Sequence, residues 1–357
     1  NHQRCSSPPL NRCVLEKPSW GLKRTRRDMF PQQPTWSNSR INLLQRCPRA
    51  FVLRYGLAQV SKHHERGEIL SLAFQIQTPW ILLHQTVREV ILDYVEDHVN
   101  GTVWSNGLIR SRFKMDYQKA VRMRNRLIER VQSHNHNTSF QKKQPDQHLI
   151  DMGTEACITF IQQPELQNLL AEGYIKRIEL TAPTQHERWK LYSAPDFVHH
   201  GPKGTSLIKL NLYGLPSRCN RERQAALTQL YGNRDSTVVL FSMKERKWII
   251  NRITPLNSQV QQSLDLVAND VEKMESILSQ VGRNNDLSLI PLADSYRSCM
   301  HCNVRFLCPS QHGLEKAKAE QRTLMCQWRD YPRRHSYTLD IVCMYYPWRF
   351  YAITTPE

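Results

Sequence analysis

The sequence predicts a mixed α/β fold, and three patterns predict it. Trp80, His84, Val87, Ile91 and Tyr94 recur at three- and four-residue steps, the spacing of an amphipathic helix whose apolar stripe faces a core. Two apolar runs, Thr237 to Ser242 and Trp248 to Ile253, flank the charged turn Lys244-Glu245-Arg246-Lys247 and read as a hairpin. Val260, Leu264, Val267, Val271, Met274 and Leu278 then form one stripe of a long helix.

In chain order, residues 1–36 hold five prolines and the basic stretch Lys23-Arg24-Thr25-Arg26-Arg27 with no helical or strand period. They read as a basic flexible arm, either a solubilising tail or a segment that tracks a nucleic-acid backbone. Cys5 and Cys13 in it read as unligated. Residues 37–150 form an N-terminal helical part. Its second helix, about Asp116 to Gln132, carries Lys119, Arg122, Arg124, Arg126 and Arg130 on more than one face, as either a solvated or a phosphate-contacting helix would. The polar stretch Ser133 to Gln147 reads as a loop, with His134 and His136 solvated. Residues 151–312 form the core part, with strand-like segments near 174–181, 188–193 and 205–213 and a helix near 219–231 before the hairpin. Residues 313–357 are a basic, aromatic extension in which Trp328, Arg333, Arg334, Trp348 and Arg349 interleave. That pattern suits base stacking with phosphate contact. A strand pair is the alternative, because Tyr337, Leu339, Ile341 and Cys343 alternate, and a partner-protein surface is a third reading.

Lys and Arg number 49 against 32 Asp and Glu, a net charge of +17, and the pI is near 9.6. This imbalance favours a polyanionic partner, with nucleic acid foremost and DNA ahead of RNA. No apolar run approaches membrane-spanning length and no apolar signal segment opens the chain, so the expected setting is intracellular, cytoplasmic or nucleoid-associated, with no membrane partner. The chain opens on Asn1, from which the expectation is a native start that was processed or lies outside this sequence.

Cys299, Cys302 and Cys308 form a C-x2-C-x5-C motif followed by Pro309, and Cys47 stands far upstream in Arg46-Cys47-Pro48-Arg49. Thiolates are soft ligands, and four of them suit a [4Fe–4S] cluster or a structural zinc ion. Zinc sites of four cysteines usually come as two short pairs, whereas here three ligands are close and the fourth is remote, which favours iron–sulfur. The bland alternative is unligated, simply buried cysteine.

The segment Ser39 to Phe51, together with the late C-x2-C-x5-C-P, resembles the iron–sulfur nucleases of the RecB/AddB type within the PD-(D/E)XK superfamily, which include the CRISPR-adaptation nuclease. The resemblance covers about residues 37 to 312. It implies a restriction-endonuclease-like core, a mixed central sheet flanked by helices, with an iron–sulfur staple joining its N- and C-terminal parts. It also implies a site order: a helical His, an Asp at a strand end, D/E-x-K on the next strand, then a Gln-bearing helix. His84 matches the first, Asp196 in Ala194-Pro195-Asp196-Phe197-Val198 the second, and Gln224 the last. The third is broken, because Lys209 and Asn211 stand where the acid and the lysine belong. Strand alternation puts 209 and 211 on one face and Ile208, Leu210 and Leu212 on the core face. Asp196 alone would bind a hard divalent ion weakly, and Lys209 would repel it. Glu222, on the helix of Gln224, is the candidate for a migrated carboxylate, while Glu245-Arg246-Lys247 is a literal E-x-K that reads as a charged turn. The tyrosine expected one turn after Gln224 is replaced by Thr228.

The expected function is therefore that of an iron–sulfur DNA-binding protein of nuclease fold with a degenerate catalytic centre. It would hold DNA as one subunit, with other protein subunits, of a repair, recombination or mobile-element defence assembly. One alternative is an active nuclease using Mg2+ or Mn2+ with His84, Asp196 and Glu222. The other is a scaffold that binds RNA or protein without catalysis.

Overall fold

The computed structural model describes residues 35–58, 65–134, 140–178, 183–186, 189–233, 235–281, 287, 289–293, 298–299 and 302–308. Residues 1–34, with Cys5 and Cys13, His136 and the extension 313–357 lie outside the described residues.

Strand β1 (Thr35–Trp36) leads into helices α1 (Asn38–Arg46) and α2 (Pro48–Val52), and a π-helical turn, Leu53–Leu57, continues α2. Ser37 caps α1 by accepting the Arg40 amide. Cys47 ends α1 and begins α2: its Sγ accepts the Ala50 amide at 3.4 Å while Pro48 takes the first helical position, where its missing N–H costs nothing.

Next come α3 (Glu65–Gln75), α4 (Pro79–Val99), α5 (Asn106–His134), α6 (Gln147–Ile161) and α7 (Pro164–Glu172). Thr78 caps α4 through the Ile81 amide and Pro79 opens it, and the helix then buries Leu83, Val87, Val90 and Ile91. Trp80, expected on that buried stripe, is 47% exposed, because it stands in the first turn of α4, outside the part covered by neighbouring helices. Helix α5 begins ten residues before the predicted start. Arg124 within it is neither solvated nor poised for phosphate: it is buried and donates to the carbonyls of Gln77, at 2.7 Å, and Gln141, at 3.0 Å. It clamps the approaches to α4 and α6.

The remaining elements are β2 (Tyr174–Arg177), β3 (Thr184–His186), β4 (Trp189–Leu191), β5 (Phe197–Gly201), β6 (Gly204–Asn211), α8 (Arg218–Gln229), β7 (Thr237–Lys244), β8 (Lys247–Ile253), α9 (Asn257–Ser279) and a 3-10 turn at Arg305–Leu307. Among the described residues the strands form two sheets, β1-β4-β3 and β2-β5-β6-β7-β8. The larger is mixed: β6 and β7 are parallel, joined by α8, and every other neighbouring pair is antiparallel. The β7–β8 turn is made by Glu245 (φ 50°) and Arg246 (φ 65°), the left-handed pair that a two-residue hairpin turn demands.

One face of the large sheet carries Phe197, Ile208, Leu210, Val239, Phe241 and Trp248 against α4 to α7. The opposite face carries Val198, Leu207, Val238 and Leu240 against Ala225 of α8. Each fully buried Phe or Leu there contributes roughly 2 kcal/mol relative to exposure. A second core gathers the stripe of α9 with Trp36, Phe51, Leu191 and Val304, so segments from both ends of the described chain share it. The protein is a mixed α/β fold. Among the described residues no helix is long and apolar enough to cross a membrane.

Candidate functional site

The β5–β6 register sets the site. Phe197 pairs with Ile208, so Asp196, one residue earlier, falls opposite Lys209. Asp196 stays in the ladder: its N–H donates to Ile208 O at 2.8 Å and its carbonyl accepts from Ile178 at 2.9 Å. Its side chain is fully buried, and both oxygens are engaged. Oδ2 accepts the Leu210 amide at 2.8 Å, and Oδ1 accepts Arg88 from α4, through Nε at 2.7 Å and through Nη2.

Lys209 donates to the carbonyl of Ala194 and lies 3.5 Å from that of Ser193. Burial pushes its ammonium pKa down, the Asp196 carboxylate opposes this and the Arg88 guanidinium adds to it. As expected from strand alternation, Ile208, Leu210 and Leu212 are buried in the core, while Lys209 and Asn211 are half-buried on the other face. Asn211 and Gln224 form a reciprocal amide pair, with N···O distances of 2.9 and 2.7 Å, and Asn211 also donates to Ser242 Oγ at 3.3 Å. Thr228, where a tyrosine was expected, is buried and donates to Ser193 O.

His84 is 1% exposed. Its ring meets Trp80 edge-on at 4.7 Å between centroids and Tyr213, just past β6, at 4.9 Å. Neither ring nitrogen has a hydrogen-bond partner, and burial pushes its pKa down to about 4, so the ring is neutral near pH 7.

The sequence-predicted residues thus fall into three groups. Asp196 and Lys209 stand together; Asn211 and Gln224 bond each other beside them; His84 lies on α4, one turn before Arg88. Glu222 stands apart. Two residues from Gln224 on one helix, it projects to nearly the opposite side, where it pairs with Arg218 at 2.8 Å and lines a surface pocket with Arg221, Asn251 and Arg252. Glu245 is an exposed turn residue, 83% accessible at its side chain. Sequence reasoning missed Arg88 and Tyr213. The signal for Arg88 was there, since Trp80, His84 and Arg88 follow one another at four-residue steps on a single helix face.

This arrangement places one carboxylate against a guanidinium and an ammonium. A hard divalent ion needs several oxygen donors, most of them anionic or water, and here the one acid is already matched by two cations.

The cysteines form the second locus. Cys299, Cys302 and Cys308 each act electrostatically on Cys47, whose thiol burial pushes up to about 11. In the late motif the Cys302 amide donates to Cys299 O at 3.2 Å and the Cys308 amide to Val304 O at 3.0 Å. Burial pushes the thiols of Cys299 and Cys302 up as well, opposed at Cys299 by Arg305 and Arg49 and at Cys302 by Arg46. The donor set therefore fits a soft metal centre in chemistry. As the side chains stand, however, no three His, Cys, Asp or Glu groups among the described residues have a metal-holding arrangement. No family model, curated protein or solved structure matches this chain.

Proposed function

We propose that the chain is an iron–sulfur DNA-binding protein of the PD-(D/E)XK nuclease fold, RecB/AddB-like, whose hydrolytic centre has been lost. It acts as a DNA-holding subunit in a repair, recombination or mobile-element defence assembly. The observation that carries this reading is the occupation of Asp196: Arg88 and the Leu210 amide take its two oxygens, and Lys209 stands where a second acid would be needed.

Three further features support it. The order helix α4, strands β5 and β6, then helix α8, within a mixed sheet flanked by helices, is compatible with the order the resemblance implies. His84 lies on α4, Asp196 one residue before β5, positions 209 and 211 on β6 and Gln224 on α8, an order compatible with that resemblance. The net charge of +17 provides the sequence-independent attraction to phosphates.

Cys47, Cys299, Cys302 and Cys308 would hold the [4Fe–4S] cluster, with structural zinc as the alternative. Such a centre supplies a structural clasp: it ties α1 and α2 to the segment after α9 and closes a loop that spans most of the protein. The side chains do the rest. Arg88 and Lys209 leave a positive site for a backbone phosphate, and Asn211, locked to Gln224, holds the β6 face rigid beside it.

Purified protein is expected to bind duplex and single-stranded DNA with an affinity that falls steeply with salt, and to leave both uncut in Mg2+ or Mn2+. Metal-dependent cleavage abolished by Asp196→Ala would overturn the reading.

A further inference from the structure

The buried, unpaired imidazole of His84 lies between two aromatic rings that remain open to solvent. Trp80 is 47% exposed and Tyr213 57% exposed, yet each makes an edge contact with the His84 ring, at 4.7 and 4.9 Å between centroids. Both nitrogens of His84 are buried without a hydrogen-bond partner. A buried polar group costs free energy when unpaired, so a ring held this way marks a place where a ligand atom completes the bonding. Arg88 lies one turn further along the same face of α4. It uses Nε and Nη2 on Asp196, leaving the Nη1 edge outside that pair, and its side chain is 26% exposed. Aromatic faces beside a guanidinium are the two halves of a single-strand site: bases stack on rings, and the backbone phosphate meets the cation.

We propose that Trp80, His84, Tyr213 and Arg88 form a binding site for an unpaired nucleotide of single-stranded DNA, the base stacking on Trp80 or Tyr213 and its phosphate held by Arg88. His84 is a positioning residue that sets both rings and offers a ring nitrogen to the nucleotide. This rests on the DNA-holding reading above and specifies the form of DNA that the lost catalytic pocket retains. Duplex DNA, whose base faces are stacked within the helix, would contact the charged surfaces without using these rings.

The test measures binding of a labelled thymidine oligonucleotide and of a blunt duplex to the full chain by fluorescence anisotropy. Trp80→Ala and Tyr213→Ala are each expected to weaken single-strand binding about 5- to 100-fold and to leave duplex binding within about twofold. Trp80→Phe and Tyr213→Phe, which keep a stacking face, are expected to restore most of the loss. Truncation of either ring uncovers His84, so circular dichroism checks the fold of each alanine variant. Single-strand binding unchanged in both alanine variants, or equal losses on both DNAs, overturns this site while the DNA-holding reading stands. Absence of binding to either DNA by the wild type overturns that reading itself.

Discussion

The Arg88 guanidinium lies against the Asp196 carboxylate, joining helix α4 to the start of strand β5 across 108 residues of sequence. Asp196 is fully buried, whereas the Arg88 side chain is 26% exposed, so the acid depends on the pair more than the base does. Arg88→Met leaves a buried carboxylate with the Leu210 amide as its remaining donor. Loss of one partner of a buried pair costs about 3–5 kcal/mol, and partial exposure of Arg88 brings the expected destabilisation to about 2–3 kcal/mol. Urea denaturation of Arg88→Met, Asp196→Asn and the double variant measures it. Additive effects would mean that the two side chains are not coupled.

His84 makes stability depend on pH. Its folded-state pKa is about 4 against an ordinary 6.5, so the unfolded chain binds the proton more readily than the folded one. The contribution is fully present above pH 6.5 and is lost as pH falls toward 4, on the order of 3 kcal/mol. His84→Phe keeps an aromatic ring and removes the titration. Unfolding free energies at several pH values between 4 and 7 should therefore fall more steeply for the wild type than for the variant. Parallel curves would show that His84 takes up its proton in the fold as easily as outside it.

Much of this architecture could be read from residue order, and the reasons differ between elements. The β7–β8 hairpin was legible because apolar runs flank a charged turn, and the turn residues adopt the left-handed conformation such a loop needs. Helix α9 was legible because Leu264, Val267, Val271, Met274 and Leu278 form a narrow buried stripe. Helix α6 was not: Ile150, Gly153, Ala156, Cys157, Phe160 and Ile161 are buried around a broad arc, and its short length leaves few repeats of the period. In the site, the shared face of Lys209 and Asn211 was legible from strand alternation alone. Four-residue spacing from Trp80 and His84 put Arg88 on their face, but its pairing with Asp196 was not legible, because that partner is 108 residues away in sequence.

The cysteine locus predicts a linked loss of metal and stability. A cluster bridging Cys47 and Cys299 would close a loop of about 250 residues, for which the chain-entropy relation gives about 5 kcal/mol. Cys302→Ser is expected to remove the brown iron–sulfur chromophore, lower bound iron to near zero and reduce solubility. Iron analysis and the visible spectrum of protein prepared without oxygen check this. A colourless, iron-free but well-folded wild type would end the cluster assignment.

Restoring acid to the β6 face tests whether the pocket descends from a metal site. Lys209→Glu places a carboxylate directly opposite Asp196, Asn211→Lys supplies a cation two residues on along the same face, and Arg88→Ala frees Asp196 Oδ1. Positions 196 and 209 face each other because the Asp196 backbone is held to Ile208 and its side chain to Leu210. Ion binding then adds to stability by mass action, about 2.7 kcal/mol when Mn2+ is at a hundred times its dissociation constant. The triple variant should gain thermal stability with added Mn2+ and the wild type should gain none. An equal response of the two proteins, or none in the variant under conditions where it is folded, would mean that β5 and β6 do not hold their side chains in a metal-binding register, and the descent from a hydrolytic centre would lose its geometric basis.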